Sequence, residues 1–303
     1  MFVPDLIAIG SLFLALNFSL GLLFAKKTAF SLSYIAGLIV LAALYSYLLA
    51  RMQYSIAKRN GATFILKKFS VRSLDLKKSA DRLCQEIADD VQKKAGLAKI
   101  NIYIISGRGA NALAIIDPEG TPSLALTEGL LGEFNREEIM AVIAREMAGI
   151  IRGDTLYKTL LCSLGDFLER IQYSFDLKGQ NEGPSSFSLS SALRRYLSRY
   201  IRQERDILAD VASVEYGANP VNLAQAIARA SAQDIPVEHL DWAYAPLLFV
   251  PPGSAGKNEN RAGWLASISP PSLTRVRRLA ILAGQKTEEI IPSEIFEILK
   301  KGK

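Results

Sequence analysis

Histidine and cysteine are scarce in this chain. Its 303 residues include one histidine, His239, and two cysteines, Cys84 and Cys162. The cysteines have neither the paired spacing of a metal or redox site nor the number that a disulfide framework requires. Both lie in amphipathic helical patterns. We therefore expect them to be small buried residues of a protein from a reducing compartment.

Charge is absent from most of the N-terminal region. Residues 6–25 and 28–50 contain no Asp, Glu, Lys or Arg, and only Lys26 and Lys27 separate the two runs. Each run reaches the roughly 20 residues that a helix needs to cross a bilayer. A cleaved signal peptide is not expected, because residues 1–5 contain no basic residue and the first apolar run is too long. The alternative is a buried helical hairpin in a soluble core, where uncharged runs of this length are rare.

Basic residues predict the orientation of this hairpin. The turn contains Lys26 and Lys27, whereas the segment after the second run contains six basic residues: Arg51, Lys58, Arg59, Lys67, Lys68 and Arg72. Because lysine and arginine favour the cytoplasmic side, we expect the turn outside the cell. The chain would then be integral to the plasma membrane, with its globular part in the cytoplasm.

The chain as a whole is basic, with a net charge of +6. Much of the excess lies in residues 51–72, where we expect it to meet the anionic headgroups of the lipid bilayer. Nucleic acid is not an expected partner, because no basic motif with interleaved aromatic residues is present. Arg275, Arg277 and Arg278 are interpreted as a solvated helix face, with acidic partners or lipid as the alternative.

The remainder of the sequence predicts a small sheet followed by helices. Short apolar runs predict three strands, at residues 102–105, 110–116 and 123–126. Asn135, with two glutamates in the next turn, predicts the N-cap of a helix that ends near Ile151.

These patterns divide the chain into three parts. They are two transmembrane helices in residues 1–50, a basic juxtamembrane connector in residues 51–72, and a cytoplasmic domain in residues 73–303. The third part is expected to be mainly α, of the α+β class. No internal repeat is present.

The helix predicted after Asn135 contains part of a zinc-protease motif. Such proteases place His-Glu-x-x-His on a helix, so that two imidazoles one turn apart bind the metal and the glutamate acts as general base. Here Glu146 is present, but Arg145 precedes it and Gly149 follows it by three residues. Glycine has no side chain and arginine keeps its proton, so neither can bind zinc.

Five motifs in one order resemble the integral-membrane zinc metallopeptidases of the HtpX type, which are related to the CAAX prenyl proteases. The motifs are Asn111-Ala112-Leu113-Ala114, Thr127-Glu128-Gly129-Leu130-Leu131, Arg145-Glu146-Met147-Ala148-Gly149 with Gly153-Asp154, Arg205-Asp206-Ile207-Leu208-Ala209-Asp210, and Ser269-Pro270-Pro271. The resemblance implies an N-terminal transmembrane helical hairpin followed by a gluzincin-like metallopeptidase domain. That domain would contain a small sheet and a helical bundle.

By this resemblance, the three metal-binding positions have changed. Arg145 and Gly149 stand where two zinc-binding histidines belong, and Asp206 stands where a glutamate ligand belongs. A catalytic zinc needs three protein ligands, and aspartate is one methylene shorter than glutamate. Glu204 does not replace it, because two residues along a helix is a rotation of about 200°. We therefore expect zinc, the cofactor of the family, to be absent and no other metal to take its place.

The resemblance assigns three further positions. Glu146 is at the general-base position, Asp210 is at an acidic position behind the ligands, and Ser269 stands where a histidine near the active site belongs. Without a metal there is no activated water, so Glu146 is expected to be idle. We predict a salt bridge between Arg145 and Asp206 in place of the metal. The alternative is an Arg145 that extends into the open cleft without a fixed partner.

The segment Asn111, Ala112, Leu113 and Ala114 keeps the family's pattern. In such proteases a substrate peptide lies extended along this strand and adds to the sheet. The resemblance therefore predicts a peptide-binding edge. An ordinary edge strand of small residues is the alternative.

If the peptide-binding edge is retained and the zinc ion is absent, the chain is expected to be a catalytically inactive homologue of these proteases. It would bind membrane-protein segments or a partner protease without cleaving them. A working metalloendopeptidase of membrane-protein quality control is the first alternative. Its acidic ligands, Glu146, Asp206 and Asp210, would suit Mg or Ca better than zinc. A structural scaffold of a membrane complex is the second alternative.

Overall fold

The computed structural model of the chain describes six continuous ranges and some single positions between and before them. The ranges are residues 65–97, 99–116, 121–159, 203–233, 242–251 and 269–301. The chain divides into two compact units, Met1–Arg59 and Asn60–Lys303. The helices and strands named below belong to the second unit.

The predicted transmembrane hairpin lies almost wholly outside the described residues. None of residues 6–25 is described, and only single positions of residues 28–50 are. These positions are helical, and four aliphatic side chains among them are exposed: Val40, Leu41, Leu44 and Leu48. Within the described part of the chain, no helix is both long enough and apolar enough to cross a membrane.

A mixed sheet of four strands forms one layer of the second unit. The strands are β1 (Arg72–Ser73), β2 (Asn101–Ile105), β3 (Ala112–Ile116) and β4 (Pro122–Thr127). Their order is β1-β2-β4-β3, and β4 pairs parallel with β2 and antiparallel with β3. The three predicted strands are confirmed, although β3 begins two residues later than expected. Because β3 ends the order, its outer side is available to another segment.

Helices make up most of the remaining described residues, so the predicted mainly helical fold with a small sheet is confirmed. They are α1 (Ser79–Ala95), α2 (Glu128–Glu133), α3 (Arg136–Ile151), α4 (Gln203–Ala212), α5 (Pro220–Gln233), α6 (Ser272–Leu282), α7 (Thr287–Ile290) and α8 (Ser293–Lys301). Residues 154–159 are also helical, and Ser213–Tyr216 and Trp242–Leu247 are 3₁₀ turns.

The helix α3 begins and ends where the sequence predicts. The Asn135 side chain accepts a hydrogen bond from the Glu138 backbone N–H at 2.8 Å, and the Glu138 carboxylate accepts one from the Asn135 N–H at 2.9 Å. This reciprocal capping box satisfies two donors that a helix start leaves free. Most residues of α3 are buried. The helix therefore passes through the interior and shields the motif residues on it from water.

Two hydrophobic cores cover the two faces of the sheet. Successive residues of a strand point to opposite faces. Accordingly, Ala112 joins the main core beside α1, α3, α5 and α6, whereas Leu113 joins a second, smaller core. Cys84 is buried in the first core and Cys162 in the second, so the predicted burial of both cysteines is confirmed. Burial raises the pKa of the Cys84 thiol to about 12.

The second core includes part of the predicted connector. Ala62, Ile65 and Phe69 are buried in it, and the ring of Phe69 meets that of Tyr244 edge to face. Arg72, the last residue of the connector, begins β1. The sequence did not predict these contacts, because the segment has no clear strand pattern and its basic residues predicted contact with lipid headgroups.

Candidate functional site

Two packed helices bring the motif residues together. Arg145, Glu146 and Gly149 lie on α3, and Asp206 and Asp210 lie on α4. Residues four apart on a helix share a face, which places both aspartates of α4 toward α3. The two elements that carry these motifs are in contact, as the resemblance implies.

Arg145 lies at the centre of the site, bound to three carboxylates. Its Nη1 donates to Glu146 Oε1, its Nη2 donates to Asp206 Oδ1 at 2.7 Å, and its Nε donates to Asp210 Oδ1 at 3.3 Å. Only 4% of the arginine side chain is exposed. The predicted salt bridge between Arg145 and Asp206 is therefore confirmed. The alternative, an arginine extended into an open cleft, is wrong.

Asp206 has two further partners. Lys158, in the helical residues 154–159, donates from Nζ to Asp206 Oδ1 at 2.7 Å. Ser269, just before α6, donates from Oγ to Asp206 Oδ2 at 3.3 Å. The guanidinium of Arg145 and the ammonium of Lys158 together bring two positive charges to this carboxylate. A zinc ion would bring the same charge.

Arg275 of α6 holds the second aspartate of α4. Its Nε and Nη2 donate to the two carboxylate oxygens of Asp210 at 2.8 and 2.7 Å, a bidentate pair. Its Nη1 donates to the Phe249 carbonyl at 2.7 Å. The interpretation of Arg275 as part of a solvated face is wrong, because the buried Asp210 requires a buried cation. Arg277 and Arg278 are exposed, as that interpretation states.

The buried cluster contains three cations and three carboxylates: Arg145, Lys158, Arg275, Glu146, Asp206 and Asp210. Burial alone would raise the pKa of Asp206, but Lys158 and Arg145 outweigh it and hold that pKa well below its usual range. Burial alone would likewise lower the pKa of Arg145, but the surrounding carboxylates raise it above its usual value. Both groups therefore stay ionised at neutral pH.

The residues at this site do not fit a zinc ion. Gly149 has no donor atom, Arg145 has no free electron pair, and Asp206 already accepts bonds from its neighbours. Glu204 is exposed, as its rotation on the helix predicts. Among the described residues, no three His, Cys, Asp or Glu side chains are placed to hold a metal ion together. His239 lies outside the described residues.

Gly149 is not required by close packing. A Cβ atom added there would meet Thr155 Oγ1 at 3.4 Å, which is an ordinary contact. A small cleft lies beside this position, and Lys158, Ala114 and Leu247 are among the residues that line it. There is therefore room for a Cβ atom at Gly149, the position where the resemblance expects the second histidine.

The predicted peptide-binding residues lie on β3 and just before it, but a segment of the same chain covers their outer side. The Phe249 N–H donates to the Ala112 carbonyl at 2.7 Å, and Leu248 lies opposite Leu113 in an antiparallel bridge. Asn111, Ala112, Leu113 and Ala114 are all buried. Residues 111–113 thus have partners within the chain, and peptide binding there stays a prediction.

The Asn111 side chain binds the same segment directly. Its Nδ2 donates to the Val250 carbonyl at 2.7 Å, and its Oδ1 accepts from the Val250 N–H at 3.2 Å. One amide side chain therefore bonds both backbone groups of a single residue. A peptide laid along β3 would offer Asn111 the same two groups.

Sequence reasoning missed Lys158, Arg275 and residues 247–250 as parts of the site. Charge balance was the available signal for the two cations, since one arginine among three buried acids leaves two negative charges uncompensated. For residues 247–250 the signal was an apolar run between Pro246 and Pro251, a pattern typical of a short strand.

A comparison with protein families identifies the family of this chain. The model of "Peptidase family M48" matches residues 77–283, which is more than half of the chain. The match includes both motif helices, the edge strand and Arg275. No solved structure gives a significant match.

Several curated relatives carry the name "Protease HtpX homolog". The one from Nostoc sp. strain PCC 7120 is 31% identical over 213 residues, which cover 64% of this chain and 72% of the relative. That from Nostoc punctiforme is 29% identical over 233 residues, covering 71% and 75%. That from Dictyoglomus thermophilum is 25% identical over 241 residues, covering 75% and 77%. The chain therefore belongs to peptidase family M48, a family of zinc metallopeptidases.

Proposed function

We propose that this chain is a membrane-anchored member of family M48 that does not hydrolyse peptides. It binds membrane-protein segments or a partner protease instead. The observation that carries the proposal is the Arg145 guanidinium, which is bound to Glu146 and Asp206 at a position where the resemblance expects a zinc ligand. A protease of this family needs at that place an ion with an open position for water. A fixed guanidinium offers neither.

The environment of Glu146 supports the same conclusion. A general base acts on a proton within hydrogen-bond reach, about 2.6–3.2 Å from its oxygen. The Oε1 atom of Glu146 instead accepts a bond from Arg145, and only 4% of the glutamate side chain is exposed. The glutamate therefore serves as a counter-ion for the arginine.

Elemental analysis and a cleavage assay on the purified full chain test the loss of hydrolysis. We expect no stoichiometric zinc and no casein cleavage above the level of a Glu146→Gln variant. An HtpX homologue with an intact His-Glu-x-x-His motif serves as the positive control. Stoichiometric zinc, together with cleavage that the Glu146→Gln change abolishes, would show that the chain is an active protease.

The two uncharged N-terminal runs support a membrane anchor, as do the exposed aliphatic side chains described there. Because Cys84 and Cys162 are buried, an introduced cysteine can report topology. We expect a membrane-impermeant maleimide to label a Lys27→Cys variant in intact cells. A Lys286→Cys variant, in an exposed position of the second unit, should be labelled only after permeabilisation. Equal labelling of the two variants in intact cells would contradict this orientation.

The two kinds of partner predict different results with the purified chain. If the partner is an active protease of the same family, the chain should co-migrate with it and change its rate of casein cleavage. If the partners are membrane-protein segments, the chain should bind a labelled apolar peptide and return it uncut. Failure of both assays would favour the structural scaffold.

A further inference from the structure

The outer edge of β3 is occupied by residues 247–250, which we call the cis strand. The Phe249 N–H donates to the Ala112 carbonyl at 2.7 Å, and Val250 exchanges two hydrogen bonds with the Asn111 side chain. Leu247, Leu248, Phe249 and Val250 are all buried. The cis strand therefore makes backbone and side-chain contacts of the kind that a bound peptide would make.

This contact is a single isolated antiparallel bridge. Leu113 lies opposite Leu248, and the carbonyl before Leu113 bonds the N–H after Leu248. Leu113 and Leu248 are therefore a non-hydrogen-bonded pair, whose Cα atoms lie about 4.5 Å apart in antiparallel sheets. A peptide added to a sheet edge forms pairs of the same kind.

The buried ion cluster holds the cis strand in place. Arg275 bonds both Asp210 and the Phe249 carbonyl. The Phe249 ring also lies near two guanidinium groups, with its centroid 5.4 Å from Arg275 and 5.8 Å from Arg145. Guanidinium groups at this distance attract an aromatic ring. The residues that replace the metal thus also stabilise the segment that covers the edge.

We propose that the cis strand is an intramolecular ligand of the β3 edge, and that an extended apolar peptide binds this edge only by displacing it. The inference rests on the proposed function, because a covered edge matters only if the chain binds peptides. The cis strand also indicates what would replace it. Leu248 packs in the second core and Phe249 in the main core. The peptide would therefore place an aliphatic residue and then an aromatic residue at these two positions.

A reversible crosslink tests the proposal in the full chain. Cysteines at Leu113 and Leu248 should form a disulfide, because the Cα separation of a non-hydrogen-bonded pair suits one. Cys162 is replaced by Ala in this variant, since it is buried in the same core. The probe is a fluorescent peptide that copies residues 244–251, and the control peptide has two aspartates at the Leu248 and Phe249 positions.

The expected result is that the reduced double-cysteine protein binds the probe and the oxidised protein binds it at least about tenfold more weakly. The Cys162→Ala variant without the new cysteines should bind equally under both conditions. Equal binding by the oxidised and reduced double-cysteine protein would overturn the proposal.

A second variant weakens the cis strand without a crosslink. Val250→Pro removes the backbone N–H that donates a hydrogen bond to Asn111 Oδ1. The control Val250→Ala shortens the side chain and keeps this N–H. Loss of one hydrogen bond should tighten probe binding about fivefold in the proline variant relative to the alanine variant. Thermal unfolding of both variants shows whether they are folded.

The outcomes separate this proposal from the proposed function. If a folded Val250→Pro variant and the reduced double-cysteine protein both fail to bind the probe, the cis strand is a fixed part of the fold and the proposal is wrong. Cleavage of the probe would contradict the proposed loss of hydrolysis. It would not decide whether the cis strand is displaced, which the binding of the probe by the oxidised and reduced proteins tests separately. Zinc content bears only on the proposed function.

Discussion

The α3–α4 cluster and the β3 edge differ in opposite ways from the active-site pattern that the resemblance implies. In the cluster, Arg145 and Gly149 stand where the resemblance expects metal-binding histidines, and the two motif helices are in contact. At the edge the residue types remain, with Asn111 and Ala112 in place, yet the chain itself fills the partner's position. Residue type and accessibility are therefore separate properties of a motif, and each has to be judged in its own surroundings.

The two regions also differ in what holds them. Buried ion pairs hold the cluster together, and removing only one partner of such a pair strongly destabilises the folded chain. Backbone hydrogen bonds and apolar burial hold the cis strand on the edge. Removing one of these hydrogen bonds costs less stability than removing one partner of a buried ion pair. Arg275 joins the two regions, because it binds Asp210 and the Phe249 carbonyl together.

Restoring the metal positions should give the largest effect. A variant with Arg145→His, Gly149→His and Asp206→Glu, with Lys158→Ala to free the carboxylate, should bind about one zinc per chain. Casein cleavage should stay low because the cis strand still covers the edge, and it should rise when Val250→Pro is added.

Zinc content and casein assays check this variant, with Glu146→Gln as a matched control that keeps zinc and loses cleavage. Absence of zinc from a folded variant would mean that these are not metal positions. Full cleavage with the cis strand intact would mean that the edge is not closed to substrates.

Removing Asp206 should destabilise the chain by about 3–5 kcal/mol, because Asp206→Ala leaves Arg145 and Lys158 buried without a common carboxylate. Glu204→Ala, on the exposed side of the same helix, should change stability by about 0.5 kcal/mol or less. Urea unfolding of the full chain in detergent measures both. Similar stability of the two variants would show that the cluster contributes little.

Removing Arg275 should affect both regions at once. Arg275→Ala removes the bidentate partner of Asp210, which keeps only the longer bond from Arg145, and leaves the Phe249 carbonyl without the Arg275 donor. We expect a loss of about 3 kcal/mol. Hydrogen exchange at the Phe249 amide should also be faster in this variant. The exposed Arg278→Ala variant is the control. A destabilised protein with unchanged exchange at Phe249, relative to its other amides, would show that the two regions are independent.

Acid should weaken the cluster. Because the folded state holds the pKa of Asp206 below its ordinary value of about 3.9, the unfolded chain takes up that proton first as the pH falls. The contribution of Asp206 is thus complete above about pH 4 and is lost as the pH falls further. Unfolding measured at several pH values should show a slope up to about 1.4 kcal/mol per pH unit steeper than in Asp206→Asn. Equal slopes would exclude this linkage.

Adding a side chain at Gly149 should have the smallest effect. Gly149→Ala adds a methyl group in ordinary contact with Thr155 and should stabilise α3 by about 0.5–1 kcal/mol. Gly217→Ala is the opposite control, because Gly217 has a φ of 98°, a backbone conformation that a residue with a Cβ atom adopts only under strain. Destabilisation by Gly149→Ala would show that the site needs the open position.

Local patterns predicted much of the fold. The capping box at Asn135, the strand runs and the burial of Cys84 follow from neighbouring residues, so they can be read without the tertiary structure. β1 could not be predicted in this way. It has two residues and pairs with a strand about thirty positions later in the chain, and no local pattern marks so short a strand.

The sequence alone determined which chemical groups stand where the resemblance expects metal ligands. Arg145 and Gly149 lack the electron pairs that zinc requires, whatever their surroundings. Only the tertiary structure decided how the resulting charges are balanced and whether the edge is open. The partners that decide both points, Arg275 for Asp210 and Val250 for Asn111, lie 65 and 139 positions away. Contacts over such separations depend on how the elements pack, and no local pattern encodes them.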